Sequence, residues 1–328
     1  MILVTGGAGF IGSAVVRRLL QDGHRVRVVD DLSKGYSNLE ADAGVEFLQA
    51  DLRDPEQALA ALEGVDVCFH LAAKIGGIKY FHQYPATILD ENNQMLSSVF
   101  RAAVRHRVKI VYVSSSMVFE RATVFPTPEK AVYQCPPPVT HYGFSKLVGE
   151  YYCRAFHEQY GLPYTICRPF NAYGPGEYPE DEPGLAHVIP DLIKKVLRGD
   201  YPLPIFGSGE QVRCFTYVTD VADGIVTAGL DPRGENEDFN IGDDTPTPIA
   251  TLARKLWELC DRREPFRLAH LEPLAHDIQR RIPDVSKARR LLGWQPRVGL
   301  DEGLRRVIEW YKAEVLAKGG HDRGQGMR

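Results

Sequence analysis

Thr5-Gly6-Gly7-Ala8-Gly9-Phe10-Ile11-Gly12 decides the fold. It follows the apolar run Ile2-Leu3-Val4 and precedes Ala14-Val15-Val16-Arg17-Arg18-Leu19-Leu20, where apolar residues recur at helical spacing. Strand, glycine turn and helix in that order make a phosphate cradle. Gly6 suits a tight turn. Gly9 carries no side chain to hold a pyrophosphate off the backbone, and Gly12 lets the helix lie close to the strand. The helix N-terminus then offers unpaired N–H groups and a partial positive charge to the phosphates, and Phe10 and Ile11 are counted with the glycines as cofactor-binding.

Working outward, the next apolar run, Val26-Arg27-Val28-Val29, ends in Asp30. An acid at that place receives the adenosine ribose hydroxyls and repels a 2′-phosphate, so the cofactor is read as NAD rather than NADP.

Bulk composition narrows the class. The chain has 328 residues, a net charge of −4, 44% hydrophobic and 25% charged residues. These values suit a globular α/β protein with one large or two unequal domains. The mild acidity offers no basic face for nucleic acid and no polybasic patch for a membrane. Cys68, Cys135, Cys153, Cys167, Cys214 and Cys260 form no C-x-x-C pair and no zinc spacing, so reduced thiols, no metal and a cytoplasmic setting are expected. The first strand begins at Ile2 and no signal peptide or membrane span is expected. The tail 317–328 is polar and glycine-rich and reads as disordered.

The first half alternates strand and helix. Strands are expected at 45–48, 65–71, 110–113 and 164–168, with helices from Pro55 to about Leu62, Pro85 to about Arg107, and near Val139 to about Tyr160. Alternation of this kind means a doubly wound parallel sheet of the Rossmann type, with ligands at the carboxyl ends of its strands. Pro126, Pro128, Pro136, Pro137 and Pro138 mark residues 120–138 as an irregular flap. Short helices at about 187–199, 220–230 and 247–261 then alternate with short strands. The division read from the sequence is an NAD-binding domain over 1–170, a smaller interleaved substrate-binding part over 171–316, and the tail.

A second constellation is Tyr142-Gly143-Phe144-Ser145-Lys146, with tyrosine and lysine four apart on one helix face. A nearby ammonium favours the phenolate. A serine from Ser114-Ser115-Ser116, at the end of a neighbouring strand, can bond the same substrate oxygen. Tyrosine, lysine, serine and nicotinamide suit hydride transfer at a sugar alcohol.

Taken as a set, these motifs resemble the extended short-chain dehydrogenase/reductase family, in its nucleotide-sugar epimerase and dehydratase branch. The resemblance covers about residues 1–312. It extends to Asp30-Asp31-Leu32-Ser33-x-Gly35, His70-Leu71-Ala72-Ala73, Arg168-Pro169-Phe170-Asn171-x-Tyr173-Gly174-Pro175, Arg213 before Phe215-Thr216-Tyr217-Val218-x-Asp220, and Asp284-Val285-Ser286-Lys287-Ala288 with Leu292-Gly293-Trp294. It implies bound NAD, a nucleoside-diphosphate sugar substrate and a homodimer through the two long helices. Tyr142 would be the base, Lys146 would lower its pKa and hold the nicotinamide ribose, and Ser115 would bond the substrate oxygen. Asp31, Ser33 and Gly35 would join Asp30 around the cofactor, Asp51 and Leu52 would flank the adenine, and Leu71, Ala72, Ala73 and Pro169 would line the rest. Lys74, Ser115, Ser116, Asn171, His187, Val188, Arg213 and Arg281 would face the substrate, with Arg213 placed to neutralise diphosphate.

Family members diverge beside the serine. The 4,6-dehydratases resemble S-T-D-E-V-Y and decarboxylating members keep the Glu; Ser116 and Met117 stand at those places here. A methionine transfers no proton. Epimerisation at carbon 4 needs the fewest additional groups and is the reading adopted. The stretches Ala72–Ile78 and His187-Val188-Ile189-Pro190 resemble GDP-fucose synthase and GDP-mannose 3,5-epimerase. That keeps a 3,5-epimerase/reductase reading open, although Met117 replaces the cysteine partner of its histidine. Dehydration is a further alternative. A non-catalytic NAD-binding regulator is the alternative of another class, set against by the presence of both Tyr142 and Lys146.

Overall fold

The computed structural model describes residues 1–34, 38–39, 44–75, 83–179, 187–273 and 278–316. Its first half contains β1 (Ile2–Thr5), α1 (Phe10–Gln21), β2 (Val26–Asp30), β3 (Val45–Gln49), α2 (Pro55–Ala61), β4 (Val67–His70), α3 (Pro85–His106), β5 (Lys109–Val113), α4 (His141–Tyr160) and β6 (Tyr164–Pro169). Then come β7 (Ala172–Tyr173), α5 (Val188–Arg198), β8 (Leu203–Phe206), β9 (Val212–Arg213), β10 (Thr216–Tyr217), α6 (Val218–Leu230), β11 (Glu237–Ile241), β12 (Thr247–Pro248), α7 (Ile249–Leu259), β13 (Leu268–Leu271), β14 (Arg280–Arg281), α8 (Ser286–Leu292) and α9 (Leu300–Trp310).

The main sheet has the order β11-β6-β5-β4-β1-β2-β3, with every pair parallel. Strand order reverses between β1 and β4. The loops after these two strands therefore leave the sheet side by side and open a crevice. Thr5 and His70 are register partners at its base.

Apolar residues on both faces explain the two helical layers. Val15, Val16 and Leu19 of α1 pack with Val221 and Ile225 of α6. On the other face Ala58 of α2, Leu96, Val99 and Phe100 of α3, and Cys153 of α4 close a second core. Each large side chain buried in this way stabilises the fold by roughly 1.5–3 kcal/mol. A third core joins Ile189, Leu192 and Ile193 of α5 to Leu252 and Leu256 of α7 and Leu304 and Val307 of α9.

Two local expectations shift. The helix expected from Val139 begins at His141, because Thr140 is its N-cap and its Oγ1 accepts the Gly143 N–H at 3.2 Å. The proline-rich flap is not irregular throughout. It holds a 3₁₀ turn at Glu129–Tyr133, and Thr127 is tied to the C-terminal part by its N–H to Ile282 O at 2.8 Å and its carbonyl to Asp284 N–H at 2.9 Å. The main sheet takes its seventh strand, β11, from far along the chain. In the second half β9 pairs with β14 in parallel, placing Arg213 opposite Arg281. No described helix is long and apolar enough to cross a membrane.

Candidate active site

The glycine turn lies between β1 and α1 as its sequence predicts. Gly6 has φ +66°, and a Cβ there would meet Ala72 N at 2.8 Å. A Cβ on Gly12 would collide with the Gly6 carbonyl oxygen and approach Gly7 Cα to 2.8 Å. A Cβ on Gly9 would lie 3.3 Å from Gly6 O. The N-cap of α1, Gly9, supplies no side-chain acceptor, and the first turn through Phe10 and Ile11 has no acidic residue. The amide donors at this helix start are left to an anion. This is a cradle that fits the pyrophosphate of a dinucleotide.

Asp30 ends β2 beside the turn. Its Oδ2 accepts Ala8 N–H at 3.0 Å and its Oδ1 accepts Leu32 N–H at 2.9 Å. Burial raises its pKa against these bonds. Asp31 Oδ1 accepts Ser33 N–H at 2.9 Å, which shapes the loop behind it. Gly35 lies outside the described residues, as do the tail 317–328 and the part of the Ala72–Ile78 loop beyond Ile75.

Asp51 and Leu52 follow β3. The Asp51 carboxylate is held in a fork by Arg53, with Nη2 to Oδ2 at 2.7 Å, and these hydrogen bonds lower its pKa. Leu52 turns into the core with Leu3 and Val29, so only its backbone is left to face an adenine. After β4, Thr5 Oγ1 accepts Leu71 N–H at 3.2 Å and Ala72 N–H at 3.1 Å and bonds His70 Nδ1 at 2.8 Å. Ala73 continues this loop, and Pro169 closes β6.

Tyr142 sits in the first turn of α4, buried with Ile88 and Met117 and flanked by Ile75 and Ile278. Burial pushes its phenol up to about 12, while a hydrogen bond with Ser115 and the charge of Arg281 lower it. Lys146 is one turn on, its Nζ 5.9 Å from the Tyr142 ring centroid and donating to Val113 O at 2.9 Å. Burial brings Lys146 down to about 8. An ammonium has three donors, so two remain for ribose hydroxyls. Ser115 lies two residues beyond β5 and caps a 3₁₀ turn, its Oγ accepting Met117 N–H at 3.2 Å; Ser116 is buried inside that turn.

The substrate-side residues converge on the same place. Asn171 has φ +38°; its Nδ2 donates to Cys214 O at 2.9 Å, and its Oδ1 accepts from Arg281 Nη1 at 3.3 Å. Arg281 Nη2 also lies 2.8 Å from Met117 Sδ. Arg213, buried, is its cross-strand partner. His187, the N-cap of α5 just before Val188, pairs with Glu177. Burial works against the charged imidazole, but Glu177 outweighs it and the pKa is raised; Lys34 and Arg281 push the other way.

Lys74 is the exception. Its ammonium lies 3.8 Å from Glu91, which also holds Arg53 at 3.2 Å, so it belongs with Asp51 rather than with the Tyr142 group. The sequence reading also passed over Asn92. Its side chain clasps Lys74 by N–H to Oδ1 at 2.6 Å and Nδ2 to O at 3.2 Å, and donates to Ser145 Oγ at 3.1 Å; Ser145 in turn donates to Tyr142 O at 2.9 Å. A buried asparagine in mid-helix was the signal available. Among the described residues no group of three or more His, Cys, Asp or Glu could hold a metal ion.

A doubly wound sheet with this cradle, acid and Tyr/Lys pair defines a nicotinamide-dependent enzyme. The chain belongs to the NAD dependent epimerase/dehydratase family, whose model matches residues 2–242. It is 34% identical over 321 residues to a UDP-glucose 4-epimerase of Mycolicibacterium smegmatis, covering 94% of this chain and 98% of that one. It is 32% identical over 319 residues to a UDP-N-acetyl-alpha-D-glucosaminuronate decarboxylase of Bacillus cytotoxicus, covering 94% and 97%. The crystal structure of Thermotoga maritima UDP-glucose 4-epimerase with UDP-glucose superposes with a TM-score of 0.86 at 34% identity, covering 96% of this chain and 99% of that one. Family and relatives together mark a nucleotide-sugar-modifying enzyme that uses NAD.

Proposed function

We propose that the enzyme epimerises a nucleoside-diphosphate sugar at carbon 4 through a transient 4-ketone. The observation that carries this reading is Met117. It packs against Tyr142, 8% exposed, where dehydrating and decarboxylating members of the branch resemble one another in a glutamate. A thioether neither gives nor takes a proton, so no second acid–base group acts from that wall.

Bound NAD supplies the acceptor and then the donor of a hydride. The glycine turn with Asp30 would hold its pyrophosphate and adenosine ribose, and Lys146 its nicotinamide ribose. Burial raises the Tyr142 phenol to about 12 against the Ser115 hydrogen bond and the charge of Arg281, so the phenolate that takes the C4 hydroxyl proton would need the further positive charge of bound NAD beside it. Ser115 bonds the same oxygen and keeps it in line with the phenol. Arg213 and Arg281, side by side on β9 and β14, anchor the diphosphate, and Asn171 fixes Arg281. Carbon 4 of the ketone is planar. Anchoring through the diphosphate leaves the sugar able to turn over, and reduction from the opposite face yields the epimer as Tyr142 returns the proton.

The His187–Glu177 pair favours a second reading, proton exchange at carbons 3 and 5 of a keto sugar. Proton NMR of the NAD-loaded protein with a panel of nucleotide sugars in deuterated water separates the two. Inversion at carbon 4 with no deuterium in the ring is the expected result. Deuterium at carbon 3 or 5, or loss of water or carbon dioxide, overturns it.

A further inference from the structure

Glu120 is the first residue after the 3₁₀ turn that carries Ser115 and Met117, and its carboxylate is spent on the next element. Oε2 accepts both the N–H of Thr140, at 2.9 Å, and its Oγ1–H, at 3.1 Å. Thr140 Oγ1 then accepts Gly143 N–H at 3.2 Å, one residue beyond Tyr142. Oε1 is out of contact with solvent and takes no hydrogen bond from any described residue. We propose that Glu120 is a positioning residue, clamping the turn that carries Ser115 to the first turn of the helix that carries Tyr142. The proposal rests on the reading of Tyr142 as the base.

Thr140 alone would cap α4, as threonine caps many helices. Glu120 adds direction. A hydroxyl has one proton, and committing it to a carboxylate turns its lone pairs toward Gly143. An ionised acceptor also makes the link stronger than a neutral one. A second contact on the far side of Tyr142 completes the clamp: a Cβ on Gly143 would lie 2.9 Å from Met117 O and 2.8 Å from Pro138 Cβ, so backbone meets backbone there. Turn and helix thus touch through Glu120–Thr140 and Met117–Gly143, and the Ser115–Tyr142 hydrogen bond joins the same two elements. The helix itself is held along its length by α3 and the sheet. Loss of Glu120 should loosen its first turn without unfolding it.

The test uses a difference of sign. The charged and titratable groups around Glu120 are Arg121, Cys135 and Arg280; those around Tyr142 are Lys146, Tyr112 and Arg281, with the neutral Ser115 hydroxyl as its hydrogen-bond partner. If Glu120 acted by its charge, removing a negative group would make the phenol ionise more easily. If it acts by position, removing it weakens the Ser115 bond and makes the phenol ionise less easily. In NAD-loaded protein enriched with carbon-13 tyrosine, the Tyr142 ring signal is assigned by its loss in Tyr142→Phe and titrated with pH. Glu120→Ala should raise the Tyr142 pKa and lower kcat by about ten- to a hundredfold with little change in KM. Glu120→Gln, which keeps an acceptor oxygen, should recover most of the rate. Thr140→Ala should raise the same pKa, and the double variant should lose no more than either single one. A Tyr142 pKa that falls or stays put in Glu120→Ala, or additive losses in the double variant, overturns the proposal. The titration needs no substrate, so it stands whichever reaction the enzyme performs. Full activity in Tyr142→Phe would instead sink the reading of Tyr142 as base.

Discussion

Asp30 reaches back to Ala8 from the end of the neighbouring strand, its Oδ2 accepting the Ala8 N–H at 3.0 Å while Oδ1 accepts Leu32 N–H at 2.9 Å. One carboxylate therefore ties the end of β2 to the middle of the glycine turn. The residue whose charge is expected to favour NAD also holds the shape of the phosphate cradle.

Asp30→Ala should accordingly weaken NAD binding by more than the loss of ribose contacts alone. Hydrogen bonds to a charged group contribute about 1.5–3 kcal/mol, or roughly ten- to a hundredfold in Kd. Binding of NADP should not improve in compensation, because the turn itself is loosened. Titration calorimetry with both dinucleotides measures this; a variant that gains NADP affinity at intact NAD affinity would show that Asp30 acts by charge alone.

Gly12→Ala tests the close approach of helix and turn. The new Cβ would strike the Gly6 carbonyl and press on Gly7 Cα, and backbone cannot move aside as a side chain can. NAD binding should be lost and Tm should fall. Gly64→Ala is the control: it has φ +71° but nothing within 4 Å of the new Cβ. It should lower stability by only about 1–2 kcal/mol, the strain of a left-handed residue, and leave NAD binding intact.

The contrast between local and distant determinants explains what the sequence disclosed. The glycine turn, Asp30 and the Tyr142/Lys146 face are each set by a few adjacent residues, and each stands where its spacing put it. Ser115 could be separated from Ser116 only by its motif position, and the hydrogen bond to Tyr142 now distinguishes it. Lys74 could not be placed, because its neighbour Glu91 is on α3 and that pairing leaves no periodic trace. The meeting of Arg213 with Arg281 depends on two-residue strands joined over a long stretch of chain. Such strands are too short to show alternation, and only family resemblance pointed to Arg281.

His70 should make stability depend on acid. Thr5 Oγ1 accepts two N–H groups, so its own proton goes to His70 Nδ1, which must stay unprotonated. Burial, helped by the charge of Lys146, lowers the His70 pKa from the ordinary 6.5 to about 3. The unfolded chain then binds the proton more readily than the folded one. The stabilising contribution is complete above 6.5 and is lost as the pH falls from there toward 3, by up to about 1.4 kcal/mol per pH unit. Urea unfolding across that range should show a shallower pH dependence in His70→Asn, which keeps an acceptor for Thr5 but cannot titrate. Identical slopes would place the proton uptake elsewhere.

Glu150 and Arg168 form an ion pair with both side chains fully buried, Nε to Oε1 and Nη2 to Oε2 each at 2.7 Å. Ser114 Oγ donates to the same Oε1 at 2.8 Å, and Arg168 extends to Asp238 at 2.8 Å, which Lys287 holds at 2.6 Å. Breaking one side of such a pair leaves a charge stranded, which costs about 3–5 kcal/mol, whereas replacing both sides by apolar groups can be nearly neutral. Glu150→Gln should therefore lower stability more than the double change Glu150→Leu with Arg168→Met, as read from chemical unfolding. The pair also has a place in the chemistry. Glu150 lies about two turns beyond Tyr142 on α4, and Ser114 immediately precedes Ser115. The double variant should then be stable yet slow, because it keeps a filled core but no longer fixes the strand end against the helix. Wild-type kcat in that variant would show that packing alone sets the distance between Ser115 and Tyr142.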